Sequence, residues 1–179
     1  SHRVAHDVHE VMADRILILS SDPGRVRVEI PIHLARPRDP DSTEVRGLIE
    51  PTISRWAAER ATAVDLVAIE AGFNAMKENC HDPHAFHEAD IAFHQAIVEA
   101  THNPHFIALS SHLEQGARRV IRQARTNTRT RHTDLIEAVQ EEHQAIFDAI
   151  KTSDADAAAR AAEDHLKNAA QRLDMYLKR

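Results

Sequence analysis

Residues 135–154 read Leu135-Ile136-Glu137-Ala138-Val139-Gln140-Glu141-Glu142-His143-Gln144-Ala145-Ile146-Phe147-Asp148-Ala149-Ile150-Lys151-Thr152-Ser153-Asp154. Apolar side chains recur three to four apart, at Leu135/Ile136, Val139, Ile146/Phe147 and Ile150, which is the period of an amphipathic helix. Thr152-Ser153-Asp154 stops that helix and supplies a cap for the next, which is expected to run from Ser153-Asp154 almost to Arg179 with a stripe of Ala158, Ala162, Ala169, Leu173 and Tyr176. Two helices joined by so short a turn must lie antiparallel. The helices are regular, yet each stripe carries one polar residue at its centre: His143 on the first and His165 on the second.

Working outward, the same punctuation repeats. Asp41-Ser42-Thr43 can cap a first helix through Leu48, Ile49, Ile53 and Trp56, and Thr62 with Asp65 forms a capping box for a second through Leu66, Ile69, Phe73 and Met76. Asp82-Pro83 and Asn103-Pro104 each place an N-cap residue before a proline at the first helical position, opening a third and a fourth helix. Thr133-Asp134 opens the fifth. The expected fold class is therefore all-α, an antiparallel bundle of about six helices over residues 41–179. The Ala-rich stretch 155–162 offers small side chains for close helix packing.

The first 40 residues differ in texture. Val4, Val8, Val11/Met12, Ile16 and Leu19 are spaced as in a helix, Asp22-Pro23-Gly24-Arg25 is a turn signal, and Val26–Ile32 alternates as a strand does. Pro37 and Pro40 make a linker, with a domain boundary near Pro40.

Composition narrows the class. The chain has 179 residues with 42% hydrophobic and 4% aromatic, and its 4 Gly argue against a turn-rich all-β protein. No apolar run approaches the roughly 18 to 20 residues that span a bilayer, and Ser1–His6 does not begin a secretory signal, so no membrane partner is expected. The lone Cys80 excludes an internal disulfide and suits a reducing, cytoplasmic setting. Net charge is −6, and since residues 1–40 balance six basic against six acidic groups, the deficit belongs to the helical body. An acidic body is a poor surface for phosphate backbones.

The 14 histidines matter only once placed. On the third helix the stripe Phe86, Asp90, Phe93/His94, Ile97 puts Asp90 and His94 one turn apart on one face. His143 lies nine residues before Thr152 and His165 twelve after Ser153, so in an antiparallel hairpin their heights differ by about 5 Å, one turn. One carboxylate and three imidazoles can then converge inside the bundle. A single histidine on such a stripe is commonly a hydrogen-bonded core residue. Four unpaired polar groups together would cost several kcal/mol to bury, a cost that a divalent cation offsets. Both readings stand on periodicity alone. The donor set suits zinc, nickel, manganese or iron rather than calcium or magnesium. His87 is a rival ligand one turn before Asp90. The histidines at 81, 84, 102, 105, 112 and 132 fall near helix ends or off the stripes and are expected in solvent. Arg46 borders the apolar face of the first helix with Glu50 four residues on; it is either a surface ion pair or an inward guanidinium that grips a carboxylate. Asn168, one turn after His165, could add an amide contact. Arg118, Arg119, Arg122 and Arg125 read as a solvated face.

These segments resemble a known family. Glu44–Glu50 followed by Ala57-Ala58 is similar to the first helix of the FCD domain, the C-terminal ligand-binding module of FadR-type regulators in the GntR family. Asp90-Ile91-Ala92-Phe93-His94-Gln95-Ala96-Ile97 resembles its D-x-x-F-H-x-x-I segment and Asn103-Pro104 the usual sequel. Glu142-His143-Gln144-Ala145-Ile146 with Ala149-Ile150 resembles E-H-x-x-I-x-x-A-I, and His165 stands at the family's last histidine. The resemblance covers residues 42–175. It implies that Asp90, His94, His143 and His165 bind a divalent metal, zinc or nickel first, with manganese or iron also suitable. It further implies a small carboxylate effector beside the metal, with Arg46 as its partner; Asn168 and Glu50 join it as ligand-binding candidates from their positions alone. The whole would be a homodimeric, cytoplasmic transcription regulator that binds a DNA operator through an N-terminal winged helix, and not an enzyme. Residues 1–40 then read as a partial winged-helix region and linker, with a helix-turn-helix stretch omitted near Ser20-Ser21. Competing readings are a metal-dependent enzyme acting on a small organic acid and a metal-only sensor. A ferritin-like di-metal protein is disfavoured, because the stripes carry no paired Glu-x-x-His motifs.

Overall fold

The computed structural model describes residues 15–19, 26–31, 43–110 and 132–177. Beyond residue 42 every long element in it is a helix: α1 (Thr43–Arg60), α2 (Ala63–Glu78), α3 (Pro83–Glu99), α4 (described over 104–110), α5 (His132–Lys151) and α6 (Ala155–Leu177). The all-α expectation holds for this body. α1 packs mainly on α6, α2 on α3, and α5 on α6, with α5 also meeting α1 and α2.

The N-terminal segment corrects the sequence reading. Arg15–Leu19 is a strand, β1, not the end of a helix, and it pairs antiparallel with β2 (Val26–Pro31), with Ile16 opposite Ile30 and Ile18 opposite Val28. Arg15-Ile16-Leu17-Ile18-Leu19 satisfies helical and strand spacing alike, and pairing with the β-branched partner strand decides for the strand. The register shifts between Ile18 and Leu19. The rest of the expected helix, residues 4–14, and the turn at Asp22–Arg25 lie outside the described residues. So do the cap residues Asp41-Ser42, His112 and the four arginines at 118, 119, 122 and 125.

The caps read from sequence are present. Thr62 Oγ1 accepts from the Asp65 N–H, and Asp65 accepts in return from the Thr62 N–H at 2.7 Å. Asp82 accepts from the His84 and Ala85 N–H groups ahead of Pro83. Asn103 accepts from the His105 N–H at 2.9 Å. The α5–α6 connection is a Schellman turn. Ser153 stands at φ 57°, its N–H donates to Ile150 O, and the Asp154 N–H donates to Ala149 O. Asp154 then caps α6 by accepting from the Ala157 N–H at 2.9 Å.

Two close approaches shape the interior. A β-carbon on Gly72 would lie 2.8 Å from Phe93 Cα, so only glycine lets α2 come this near α3. The alanines 158 and 162 are fully buried on α6. The core joins Ile49, Ile53 and Trp56 of α1, Ile69, Phe73 and Met76 of α2, Phe93 and Ile97 of α3, and Ile146, Phe147 and Ile150 of α5. Phe73 stacks on Phe147 at 5.9 Å and meets Phe93 at 6.2 Å. Trp56 meets Phe106 edge-on at 5.1 Å and carries the Arg60 guanidinium 3.8 Å from its ring centre. No described helix is long and apolar enough to cross a membrane.

Candidate metal centre

α3, α5 and α6 bring three imidazoles together directly beneath the aromatic core. His143 is fully buried, His165 nearly so, and His94 is half-buried. Each offers a ring nitrogen within 4.8 Å of the other two. His94 Nε2 and His143 Nε2 stand 3.2 Å apart, and the rings of His143 and His165 are 4.6 Å between centres. Asp90 Oδ1 lies 3.3 Å from His143 Nε2 and 3.7 Å from His94 Nε2. Phe93 closes one wall, 5.3 Å from His94 and 5.1 Å from His143 between ring centres.

These separations can be tested against an ion. Nitrogen and oxygen donors bind transition metals at about 2.1 Å, which sets neighbouring donors about 3.0 to 3.4 Å apart in octahedral or tetrahedral arrangements. The His94–His143 and His143–Asp90 separations fall in that interval. The chemistry of the donors agrees. Burial first, then the neighbouring imidazoles, hold the His143 pKa well below its ordinary 6.5. His143 is therefore a neutral ring with a lone pair available, the form that ligates metal. Its Nδ1 is buried and has no hydrogen-bond partner among the described residues.

The third ring is held from behind. His165 Nδ1 donates to Glu142 Oε2 at 2.8 Å, which leaves its Nε2 to carry the lone pair. Glu142 is gripped in turn by Arg172, whose Nη1 and Nη2 donate to its two oxygens at 2.8 Å each, and by Asn168 Nδ2 at 2.8 Å. Burial raises the Glu142 pKa, but the bonds from Arg172, His165 and Asn168 outweigh it and hold the carboxyl at about 2. His165, Asn168 and Arg172 follow the i, i+3, i+7 spacing that puts residues on one helix face. Glu142 sits on α5 facing it, one residue before His143.

The structure thus brings Asp90, His94, His143 and His165 together. Asn168, expected beside a ligand, directs its amide N–H to Glu142. Glu50 is half-buried on α1, and the backbone of Arg46 lies in α1 while its side chain falls outside the described residues. His87 is half-buried, and His81, His84, His102 and His105 are exposed, as expected. His102 pairs with Asp65 at 2.9 Å. Sequence reasoning missed Glu142 and Arg172. The available signal was the 165/168/172 spacing opposite an acidic residue adjacent to His143.

The chain belongs to the FCD domain family, whose model it matches over residues 41–168. The galactonate operon transcriptional repressor of Escherichia coli K12 is 40% identical over 131 residues, covering 73% of this chain and 56% of the relative. The HTH-type transcriptional regulator LutR of Bacillus subtilis is 29% identical over 133 residues, covering 74% and 61%. The chain therefore spans between half and two thirds of the length of these relatives. The solved structure of E. coli McbR/YncC is similar in fold, with a TM-score of 0.68 at 15% identity, over 96% of this chain and 77% of that one.

Proposed function

We propose that this chain is the sensing part of a transcription regulator, whose helical body binds one divalent transition metal and a small carboxylate effector. The observation that carries the reading is the convergence of His94, His143 and His165, with Asp90 beside two of them, inside the helical bundle. Three imidazoles and a carboxylate suit zinc or nickel first, then manganese or iron. Such an ion, when bound, supplies a Lewis-acidic centre with a position for an organic acid. Glu142, clamped by Arg172 and Asn168, fixes the tautomer and orientation of His165. Arg46 on α1 is our choice for the effector's second carboxylate contact, with Glu50 bordering the same face.

The relatives' description as operon and HTH-type regulators supports a DNA operator as the partner and a regulator, not an enzyme, as the class. Residues 1–40 then belong to a winged helix-turn-helix region and linker, with the β1–β2 hairpin as the wing. The working protein is a cytoplasmic homodimer, and effector binding shifts it between two dimer geometries of different DNA affinity.

The test is metal content after purification without chelator or metal-affinity tag, followed by thermal shift with a panel of organic acids. About one equivalent of transition metal per chain is expected, lost in His143→Ala. At least one acid should stabilise the loaded protein and not the stripped one. A chain that holds no metal, and answers no acid after zinc or nickel is added back, would overturn the reading.

A further inference from the structure

One buried polar group near the cluster is left without a role by its hydrogen bonds. Gln140 lies three residues before His143 on α5, between Ile136, His143 and Phe147 on the inward face. Its amide nitrogen and amide oxygen are both shut off from solvent, and neither has a hydrogen-bond partner among the described residues. Leaving a buried donor or acceptor unpaired costs about 1 to 3 kcal/mol each. An apolar residue of the same volume would avoid that penalty. Glutamine at this position is therefore unfavourable for the empty bundle.

We propose that Gln140 is a specificity contact that reads a hydroxyl group on the effector. The inference rests on the effector reading above and deepens it. An ionised carboxylate only accepts hydrogen bonds, so it would satisfy the Gln140 NH₂ and leave its oxygen unpaired. A hydroxyl both donates and accepts, and two neighbouring hydroxyls satisfy both ends of the amide. Positions 140 and 143 are separated by about 4.5 Å of helix rise, a span of about three carbon–carbon bonds. The ligand that fits is a monocarboxylic acid bearing hydroxyls along its chain, with the acid end at the histidine cluster and hydroxyls at Gln140.

The experiment uses the metal-loaded chain with D-galactonate and D-gluconate as polyhydroxy acids and hexanoate as an acid of equal length without hydroxyls. Calorimetry on the wild type should show tighter binding of at least one polyhydroxy acid than of hexanoate. In Gln140→Met, metal content is unchanged, affinity for that polyhydroxy acid falls about 10- to 100-fold, and hexanoate binds as before or better. The ligand-free variant should melt at the same temperature or higher, because the unpaired amide is gone. A Gln140→Met protein that keeps the preference, or whose ligand-free form melts lower or fails to fold, would show a structural glutamine and overturn the inference. A wild type that binds acids without regard to hydroxyls would overturn it too while leaving the sensor reading intact. A metal-loaded wild type that binds no acid at all would instead remove the effector reading on which it rests.

Discussion

Two regions of one core lie side by side in this bundle and are built on opposite terms. Above Phe93, the side chains of Phe73, Phe147, Ile69 and Met76 fill space with carbon, and their contacts are complete in the protein alone. Below it, His94, His143 and His165 crowd their ring nitrogens together, and His143 Nδ1 and the Gln140 amide have no partner among the described residues. Phe93 belongs to both, touching Phe73 on one side and two of the histidines on the other. The lesson is that the first region stabilises the fold, and the second carries buried polar groups at a cost in stability.

The most severe way to break this division is Phe93→Ala. Phe93 is fully buried, and its removal should cost about 3 to 5 kcal/mol in denaturant unfolding of the metal-free protein. A loss below about 1 kcal/mol would mean the two regions do not share a wall as described. Glu142→Gln should sharpen the contrast from the other side. It unties the His165 ring and leaves Arg172 without its carboxylate, so metal affinity should fall about 10- to 100-fold in competition with a chromophoric chelator. The stripped protein should also lose stability, because Arg172 is left without its carboxylate, but the loss should be larger in the metal-loaded protein. Equal losses with and without metal would make Glu142 a purely structural ion-pair partner. The mildest change is Ser153→Gly. A left-handed residue at φ 57° is relieved by glycine, and a thermal melt should show a gain of up to about 1 kcal/mol with metal affinity unaltered.

Much of the helical body was legible because its boundaries are chemical. Thr62/Asp65, Asp82-Pro83 and Asn103-Pro104 are caps whose hydrogen bonds are local, so sequence alone determines them. The histidine cluster was legible for a related reason: interruptions in an apolar stripe are visible in one dimension, and the short turn at Ser153 fixes the relative heights of His143 and His165. What was not legible depends on partners far along the chain. Arg15–Leu19 became a strand through pairing with Val26–Pro31, which local spacing does not encode. Glu142 entered the sequence reading only as a letter of the segment around His143, and its role came from His165, Asn168 and Arg172, up to thirty residues away. Asn168 was placed on the correct helix face, but that face meets Glu142 first.

The Schellman turn between α5 and α6 has a consequence for how such proteins diverge. His143 and His165 are separated by 22 residues, and that interval acts as a vernier between two antiparallel scales. One residue inserted beside Ser153 would turn His165 by about 100° and displace it by about 1.5 Å, carrying it off the shared point while the alanine face of α6 could still find a neighbour. In any descendant lineage, then, the length of this turn records whether the two rings can still meet: both histidines can persist in the sequence after an altered interval has already drawn them apart.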